Sequence, residues 1–294
     1  MRMDAAPDAK LKHRVFARIQ TWLPTRFLSW CMYLVTRIEI GWFKNAFIRV
    51  FMDRFGISLA EAEFERAESY KSFNHFFTRA LKDGARPLAQ DPEALVSPVD
   101  GTVSELGDIR NGRLIQAKGF DYSLVELLGG DEDVAAPFVG GGFCTIYLAP
   151  YNYHRIHMPT AGTLRDWMYV PGRLFSVNQG TTRAMPRLFT RNERVIALFE
   201  TGVGPVALIM VGALFVGSIE TVWSGQVTPP HSRKGVGAYR LMQPVYLNRG
   251  DECGRFNMGS TVILLTSPGA VQWAHDLVPG RALRMGETIG RPRA

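Results

Sequence analysis

Short apolar segments, spaced about ten residues apart, are the feature that most constrains the fold of this chain. They begin near residue 95, where glycine and proline also become frequent, and they are too short to be core helices. Such segments between turn residues are typical of antiparallel sheets in a sandwich or barrel, so we predict a mainly β core. The clearest are Phe143 to Leu148, Val195 to Phe199, Val206 to Val211, Ile219 to Trp223 and Ser260 to Leu265.

The first 55 residues predict two or three short amphipathic helices, which makes the chain α+β overall. Pro24 suits the first turn of one helix, and Gly41 separates that helix from the next. Residues 58–69, which are acidic and rich in alanine, predict a further short helix. We therefore expect a helical region over residues 1–69 and a β-rich region over 70–294. Helical spacing is clearest for Phe43, Ala46, Phe47, Val50 and Phe51.

Positive charge is concentrated in the same N-terminal segment. The 294-residue chain has a formal net charge of +7, and residues 1–55 hold ten Lys or Arg against four Asp or Glu. Basic residues interleaved with Trp and Phe suit helices that lie in an anionic membrane interface, and we expect that role here. The alternative is a helical arm packed on its own domain. Nucleic acid is not an expected partner, because the segment carries no recognised reading motif.

Cysteine content and hydropathy limit the cellular compartments and the kinds of membrane association that we expect for the protein. Cys31, Cys144 and Cys253 are far apart and form no CxxC pair, which favours a reducing compartment over a disulfide framework or a zinc site. The first dozen residues are polar and charged, so no signal peptide is predicted. The longest largely apolar run, Phe27 to Val35, is about half of the ~18–20 residues that a membrane span requires.

A Gly-Ser pair opens the last apolar segment and is a candidate self-cleaving bond. No side chain shields the Gly259 carbonyl, and the Ser260 hydroxyl could attack it, given a base and an orienting carboxylate. His154 and His157 are candidate bases, and Asp100 is the candidate carboxylate. On residue chemistry alone, Gly259 and Ser260 could also be a turn that enters a strand, the histidines could be structural, and Asp100 could stabilise a turn.

Other catalytic signatures do not occur in the sequence. It has no GxSxG, no HExxH and no GxxxxGK[ST]. No metal site is expected, because Pro150 and Pro159 flank the two histidines and favour a loop or strand over a ligand-bearing helix. Arg155 lies between the histidines, and its charge should lower the pKa of a neighbouring imidazole and favour a neutral base.

Several motifs, in this order along the chain, resemble the phosphatidylserine decarboxylase family in its longer bacterial form. The likeness extends from about Tyr70 to Gly290. Met258 stands where the family has Leu, a change of similar volume. The motifs are Pro98-Val99-Asp100-Gly101, Tyr153-His154-Arg155-Ile156-His157-Met158-Pro159, Pro171-Gly172-Arg173-Leu174-Phe175-Ser176-Val177-Asn178, Arg191-Asn192-Glu193-Arg194-Val195, Val216-Gly217-Ser218-Ile219-Glu220-Thr221-Val222-Trp223 and Gly259-Ser260-Thr261-Val262.

The resemblance implies a proenzyme that cuts itself between Gly259 and Ser260, giving a β chain of residues 1–259 and an α chain of residues 260–294. It implies that His157 takes the Ser260 proton while Asp100 orients the imidazole. Ser260 would become a pyruvoyl group, which is the cofactor. This group would form a Schiff base with phosphatidylserine, release carbon dioxide and give phosphatidylethanolamine, with His154 as the proton donor.

The resemblance also implies partners and a location. The cleaved αβ pairs would form a homodimer, held peripherally on the cytoplasmic face of the inner cell membrane. Two alternatives stay open from the residues themselves. One is a module that cuts itself and keeps its serine, and the other is a soluble pyruvoyl decarboxylase for a free amino acid.

Overall fold

Three N-terminal helices precede a β-rich core, as the sequence predicts. The computed structural model of the protein describes residues 10–215, 218–229, 236–257 and 259–293. Short 3-10 turns lie at Ala67–Ser69 and Ala136–Phe138. The helices are α1 (Leu11–Trp22), α2 (Thr25–Val35), α3 (Gly41–Phe55), α4 (Phe73–Phe77), α5 (Leu124–Leu127), α6 (Glu132–Ala135), α7 (Gln179–Thr182) and α8 (Leu188–Arg191).

The strands belong to several antiparallel sheets, which confirms a mainly β fold with α+β character. All five predicted apolar segments form strands or contain one. The strands are β1 (Leu95–Val96), β2 (Gly101–Asp108), β3 (Arg113–Ala117), β4 (Phe120–Ser123), β5 (Gly142–Leu148), β6 (Arg155–His157), β7 (Gly162–Val170), β8 (Arg194–Thr201), β9 (Gly204–Val211), β10 (Ile219–Thr221), β11 (Gly225–Thr228), β12 (Gly237–Leu247), β13 (Glu252–Phe256), β14 (Ser260–Thr266), β15 (Val271–Trp273), β16 (Ala282–Leu283) and β17 (Thr288–Pro292).

An antiparallel sheet of eight of these strands organises the core, in the order β12-β7-β8-β9-β14-β5-β2-β16. Strand β14 lies between β9 and β5, and all seven of its residues are buried. Its β-branched and leucine side chains suit a strand covered on both faces. Ser260, the first residue of β14, pairs with Leu148 at the end of β5 and so lies inside the protein.

An aromatic cluster fixes helix α3 beside α4. Phe47 stacks on Phe73 with ring centroids 4.1 Å apart, and Phe51 contacts Phe73 edge-on at 5.0 Å. Phe73, Phe76 and Phe77 are buried core residues. Aromatic pairs of this kind stabilise the packing beyond the area that they bury. The cluster draws residues from both sides of the predicted boundary at residue 69, and the division into two regions stays a prediction.

Helices α1 and α2 bury one narrow face and expose the other. Ala17, Gln20 and Ser29 are buried, whereas Trp22 is 86% exposed and Trp30 is 46% exposed. The arm therefore packs on its own protein and still presents large apolar side chains to solvent. Within the described ranges, no helix combines the length and the apolar character needed to cross a membrane.

The predicted helix over residues 58–69 is wrong apart from its last 3-10 turn. Ala62 forms a β-bridge with Leu81, and the Glu63 N–H donates to the Ala80 carbonyl at 3.0 Å. These bonds to a later segment use the backbone groups that a helix would pair within itself. Of the motifs quoted above, residues 216–217 and Met258 lie outside the described residues.

Candidate active site

Ser260 is a buried serine whose hydroxyl is not used by the fold. Its exposed fraction is 0%, and its Oγ has no hydrogen-bond partner among the described residues. An unpaired buried hydroxyl destabilises a folded protein, since it has given up its bonds to water. Such a group at the entrance of a central strand calls for an explanation outside stability.

Gly259 and His154 lie together at this strand entrance. A side chain added to Gly259 would begin 3.8 Å from Cε1 of His154 and 3.5 Å from the Leu148 carbonyl oxygen. The imidazole therefore faces the Gly259–Ser260 segment. Strand pairing produces this proximity, because Leu148 ends β5 opposite Ser260 and the chain then turns back towards His154.

The His154 ring is fully buried and unusually bare. It stacks on Phe77 with ring centroids 4.1 Å apart, and neither ring nitrogen has a hydrogen-bond partner in the described part of the chain. Burial lowers the pKa of His154 to about 3, and the nearby Arg79 charge acts in the same direction. The carbonyls of Ala149 and Pro150 oppose this pKa shift without forming a hydrogen bond to the ring. The imidazole is therefore neutral in this structure.

His157 is buried too, but both of its ring nitrogens are used. Nδ1 lies 2.7 Å from the Gly250 carbonyl oxygen, and Nε2 lies 2.9 Å from the Tyr153 hydroxyl. A carbonyl only accepts, so Nδ1 carries the proton and Nε2 accepts from Tyr153. Burial lowers the pKa of His157, Arg155 adds to that effect as predicted, and Asp100 opposes it. The result is a neutral imidazole with a single defined tautomer.

Asp100 is held by groups other than the imidazole. Its Oδ1 accepts from Arg86 Nε at 2.8 Å and from the Met285 N–H at 2.8 Å, and its Oδ2 accepts from Arg86 Nη2 at 2.5 Å. The Asp100 residue is 5% exposed, so this bidentate pair with Arg86 compensates a buried charge. Asp100 acts on His157 through its charge and not through a hydrogen bond between described atoms.

The structure thus brings His154 to Gly259 and Ser260, and it gives His157 and Asp100 partners of their own. Arg79, Arg86 and Tyr153 also lie at the site, although they are not among the residues predicted for it. Tyr153 could have been found, since it stands four residues before His157 in the histidine motif. Arg79 and Arg86 carry no spacing signal, because only the tertiary fold brings them near His154 and Asp100.

Two cavities adjoin these residues. One, of about 320 Å³, is bordered by Gly259 and by mostly apolar side chains that include Phe51, Phe55 and Phe77. The other, of about 290 Å³, is lined by polar groups that include Arg79, Asp100 and Tyr153. A third cavity, of about 540 Å³, lies among residues 272–291 and includes none of the predicted site residues. Of these three cavities, the Gly259 cavity is the one that borders the Gly-Ser segment.

Comparison with known proteins adds independent information. A family model described as Phosphatidylserine decarboxylase matches residues 73–291, and a second model, described as PSD, matches residues 15–56.

Among the relatives, the phosphatidylserine decarboxylase proenzyme of Pseudomonas fluorescens Pf-5 is 52% identical over 282 residues, which cover 95% of this chain and 98% of the relative. The proenzyme of Pseudomonas entomophila L48 is 52% identical over 286 residues, which cover 96% and 99% of the two chains. Stutzerimonas stutzeri A1501 has a proenzyme 49% identical over 285 residues, which cover 96% and 95%. By both measures, the chain belongs to the phosphatidylserine decarboxylase family.

Proposed function

We propose that this chain is a proenzyme that cuts its Gly259–Ser260 bond, converts Ser260 to a pyruvoyl group, and decarboxylates phosphatidylserine to phosphatidylethanolamine. One observation carries the proposal. The buried, unpaired hydroxyl of Ser260 opens a central strand beside Gly259, where the equally buried and unpaired imidazole of His154 faces the same segment. Family membership supports the reaction class and the substrate.

Self-cleavage uses the chain's own groups. Ser260 Oγ attacks the Gly259 carbonyl carbon, the C–N bond breaks, and the amine takes a proton, so that an ester replaces the peptide. Loss of the Cα proton of Ser260 then expels the Gly259 carboxylate and leaves dehydroalanine. Water converts this group to the pyruvoyl and releases ammonia. No protease is needed.

His157 is the proposed base for the Ser260 proton, with Asp100 acting through its charge. The lone pair of the His157 ring lies on Nε2, which accepts a hydrogen bond from Tyr153 in this structure. During cleavage, the Tyr153 hydroxyl must therefore move away from Nε2 or transfer a proton to it. Gly250 holds the tautomer throughout, because its carbonyl accepts from Nδ1.

The residues around Ser260 fit a pyruvoyl group. The Ser260 hydroxyl is free for conversion, and the Gly259 cavity gives an amine a route to the new group. A pyruvoyl group supplies a ketone that condenses with the substrate amine and accepts the electron pair left by the departing carboxylate. His154 is the proposed donor of the proton that replaces carbon dioxide. It is neutral in this structure, so it must gain that proton when an anionic substrate comes near and raises its pKa.

The apolar character of the Gly259 cavity fits the proposed substrate. Phe51 and Phe55 come from helix α3, so the cavity reaches from the N-terminal helices to the Gly-Ser segment. A lipid headgroup could pass from the helices through this cavity to the Gly-Ser segment, while the glycerol part of the lipid contacts the aromatic side chains. Ser176 and Asn178 add a few polar groups to an otherwise apolar wall, which is the usual composition of a small-molecule site.

The N-terminal helices are the proposed contact with an anionic membrane. Trp22 and Trp42 are 86% and 77% exposed, and Phe27 is 58% exposed, in a segment that holds most of the excess positive charge. Aromatic side chains among basic ones suit the headgroup region of a bilayer. We expect peripheral binding at the cytoplasmic face of the inner membrane and a homodimer of cleaved pairs.

Intact mass spectrometry of the purified wild-type protein, followed by assay on phosphatidylserine vesicles, tests the proposal. We expect a 35-residue fragment of about 4 kDa from residues 260–294, lighter by one ammonia than the same fragment with an N-terminal serine. Ser260→Ala should remain a single chain without decarboxylase activity. Ser224→Ala, an exposed serine in the turn between β10 and β11, is the matched control and should behave as wild type.

Other outcomes distinguish the alternatives. A fragment that retains serine indicates self-cleavage without a cofactor. A pyruvoyl fragment with activity on free serine and none on the lipid indicates a soluble amino-acid decarboxylase. An uncut wild-type chain that still decarboxylates phosphatidylserine would contradict the role of Ser260.

A further inference from the structure

The N-terminal helices touch the walls of the Gly259 cavity through buried polar side chains. Gln20, in helix α1, has an exposed fraction of 0%, and its Oε1 accepts from the Ser176 N–H at 2.7 Å. Ser176 lines the cavity beside Val177 and Asn178. A glutamine buried at this point is unusual for an amphipathic helix, whose buried face is normally apolar. Its contact with the wall accounts for its presence there.

Helix α2 makes a similar contact at a second part of the wall. Ser29 is 1% exposed, and its Oγ accepts from the Phe215 N–H at 3.1 Å. Phe215 also lines the cavity, and its φ of +67° lies in the left-handed region that a bulky residue rarely adopts. Such a conformation persists only where surrounding contacts hold it. The Ser29 hydroxyl supplies one of these contacts.

Further bonds fix the same helices to the segment before the wall. Arg26 Nε donates to the Gly172 carbonyl at 2.9 Å, and Arg173 Nη2 donates to the Thr21 carbonyl at 3.1 Å. A side chain added to Gly180 would begin 2.2 Å from the His13 ring, so α1 packs directly against α7. Helices α1 and α2 are therefore joined to the chain on both sides of Ser176.

We infer that Gln20 and Ser29 are positioning residues that hold the cavity wall at Ser176 and Phe215 for the reaction at Ser260. The inference rests on the proposed decarboxylase site. It makes α1 and α2 part of that site in addition to their proposed membrane contact.

The test separates wall positioning from membrane binding. Gln20→Met keeps the length of the side chain and removes the acceptor, and Ser29→Ala removes the second acceptor. Thr21→Val is the matched control, since among the described residues the Thr21 hydroxyl donates only to the Arg18 carbonyl within α1. Each protein is assayed on dihexanoyl phosphatidylserine dissolved as monomers, which needs no membrane. Decarboxylation is counted per cleaved molecule, well below the unfolding temperature, and binding to phosphatidylserine vesicles is measured separately.

We expect kcat on the dissolved substrate to fall about tenfold in Gln20→Met and in Ser29→Ala. A tenfold fall corresponds to the loss of one hydrogen bond whose free energy is at the upper end of the usual range. Vesicle affinity and the cleaved fraction should match wild type, and Thr21→Val should match it in every respect. Unchanged kcat in both variants would overturn the inference. An equal fall in Thr21→Val would also overturn it, since the effect would then belong to α1 as a whole. A wild-type chain that neither cuts nor decarboxylates would instead refute the proposed function.

Discussion

Two histidines three residues apart have opposite surroundings in this protein. His157 uses both ring nitrogens, through Gly250 and Tyr153, whereas His154 uses neither among the described residues. A fixed tautomer suits a base that acts once, during cleavage. A bare imidazole in an apolar setting suits a group whose proton must come and go with the substrate. Environment therefore distinguishes the two proposed roles, which residue type alone leaves interchangeable.

Exchange of each histidine for glutamine should separate the two steps. His157→Gln should slow self-cleavage, because the proposed base is lost. His154→Gln should leave cleavage in place and lower decarboxylation per cleaved molecule by about 10²- to 10⁴-fold, the usual contribution of a positioned acid. Cleavage is followed by mass and decarboxylation by carbon dioxide release. Uncut protein from His154→Gln together with normal cleavage of His157→Gln would reverse the assignment.

The stability of the proenzyme should depend on pH through His154. Its folded pKa of about 3 is below the ordinary 6.5, so an unfolded chain takes up the proton first as pH falls. Stability contributed by the neutral ring is thus complete above pH 6.5 and is lost as pH falls towards 3. Between pH 7.5 and pH 5 the loss is about 2 kcal/mol from this residue.

Urea unfolding of Ser260→Ala at these two pH values measures this effect in a single uncut chain. The double variant with His154→Gln should lose about 2 kcal/mol less over the same interval, because glutamine does not titrate. His157 contributes equally to both proteins and cancels. An equal loss in the two proteins would show that the His154 pKa is not lowered by burial.

At the scale of elements, the exposed aromatic face of the helices is the feature with a direct consequence. Trp22→Ser combined with Trp42→Ser should weaken binding to phosphatidylserine vesicles by at least about a hundredfold, since burial of each of these two large apolar side chains contributes ~1.5–3 kcal/mol. Self-cleavage should be unchanged, because both side chains point into solvent. Tyr246→Ser, at a 62% exposed aromatic outside the helices, is the control. Vesicle co-sedimentation measures the binding. A loss of binding of the same size in Tyr246→Ser would show that the effect comes from general surface hydrophobicity and not from the helices.

Elements differ in how well their sequences reveal them. Strands such as β14 and β9 are predicted correctly because continuous apolar segments between turn residues have few other uses. Residues 58–69 have helical composition but pair with the segment near Leu81 instead, since a long-range backbone bond outweighs a weak local preference. Local propensity decides an element only where no distant partner competes for its backbone.

At the scale of the whole molecule, the position of β14 determines what cleavage can do. The α chain of residues 260–294 would supply β14, which pairs with β9 and β5, and also β16, which pairs with β2. Every residue of β14 is buried. Cutting the chain before Ser260 removes one covalent bond and leaves these contacts in place.

The two fragments should therefore remain together after cleavage. Native mass spectrometry should detect intact αβ pairs. The mass of each pair should equal that of residues 1–259 plus that of residues 260–294 with an N-terminal serine, less one ammonia. The fragment of about 4 kDa should separate only in denaturant. Uncut Ser260→Ala serves as the control for size and shape. Release of the small fragment under native conditions would mean that β14 does not hold its place in the sheet.

The sequence by itself determined the fold class, the helical N-terminus and the family motifs, because spacing of apolar residues and local order along the chain are properties of the sequence alone. It also placed Ser260, His154 and His157 among the candidates, since these residue types carry the chemistry. Only the tertiary structure decided which groups surround them. Arg86 is 14 residues from Asp100, and Gly250 is 93 residues from His157, so these contacts depend on strand order and burial. The lowered pKa of His154 and the unpaired Ser260 hydroxyl are likewise consequences of burial, which arises only when distant segments pack together.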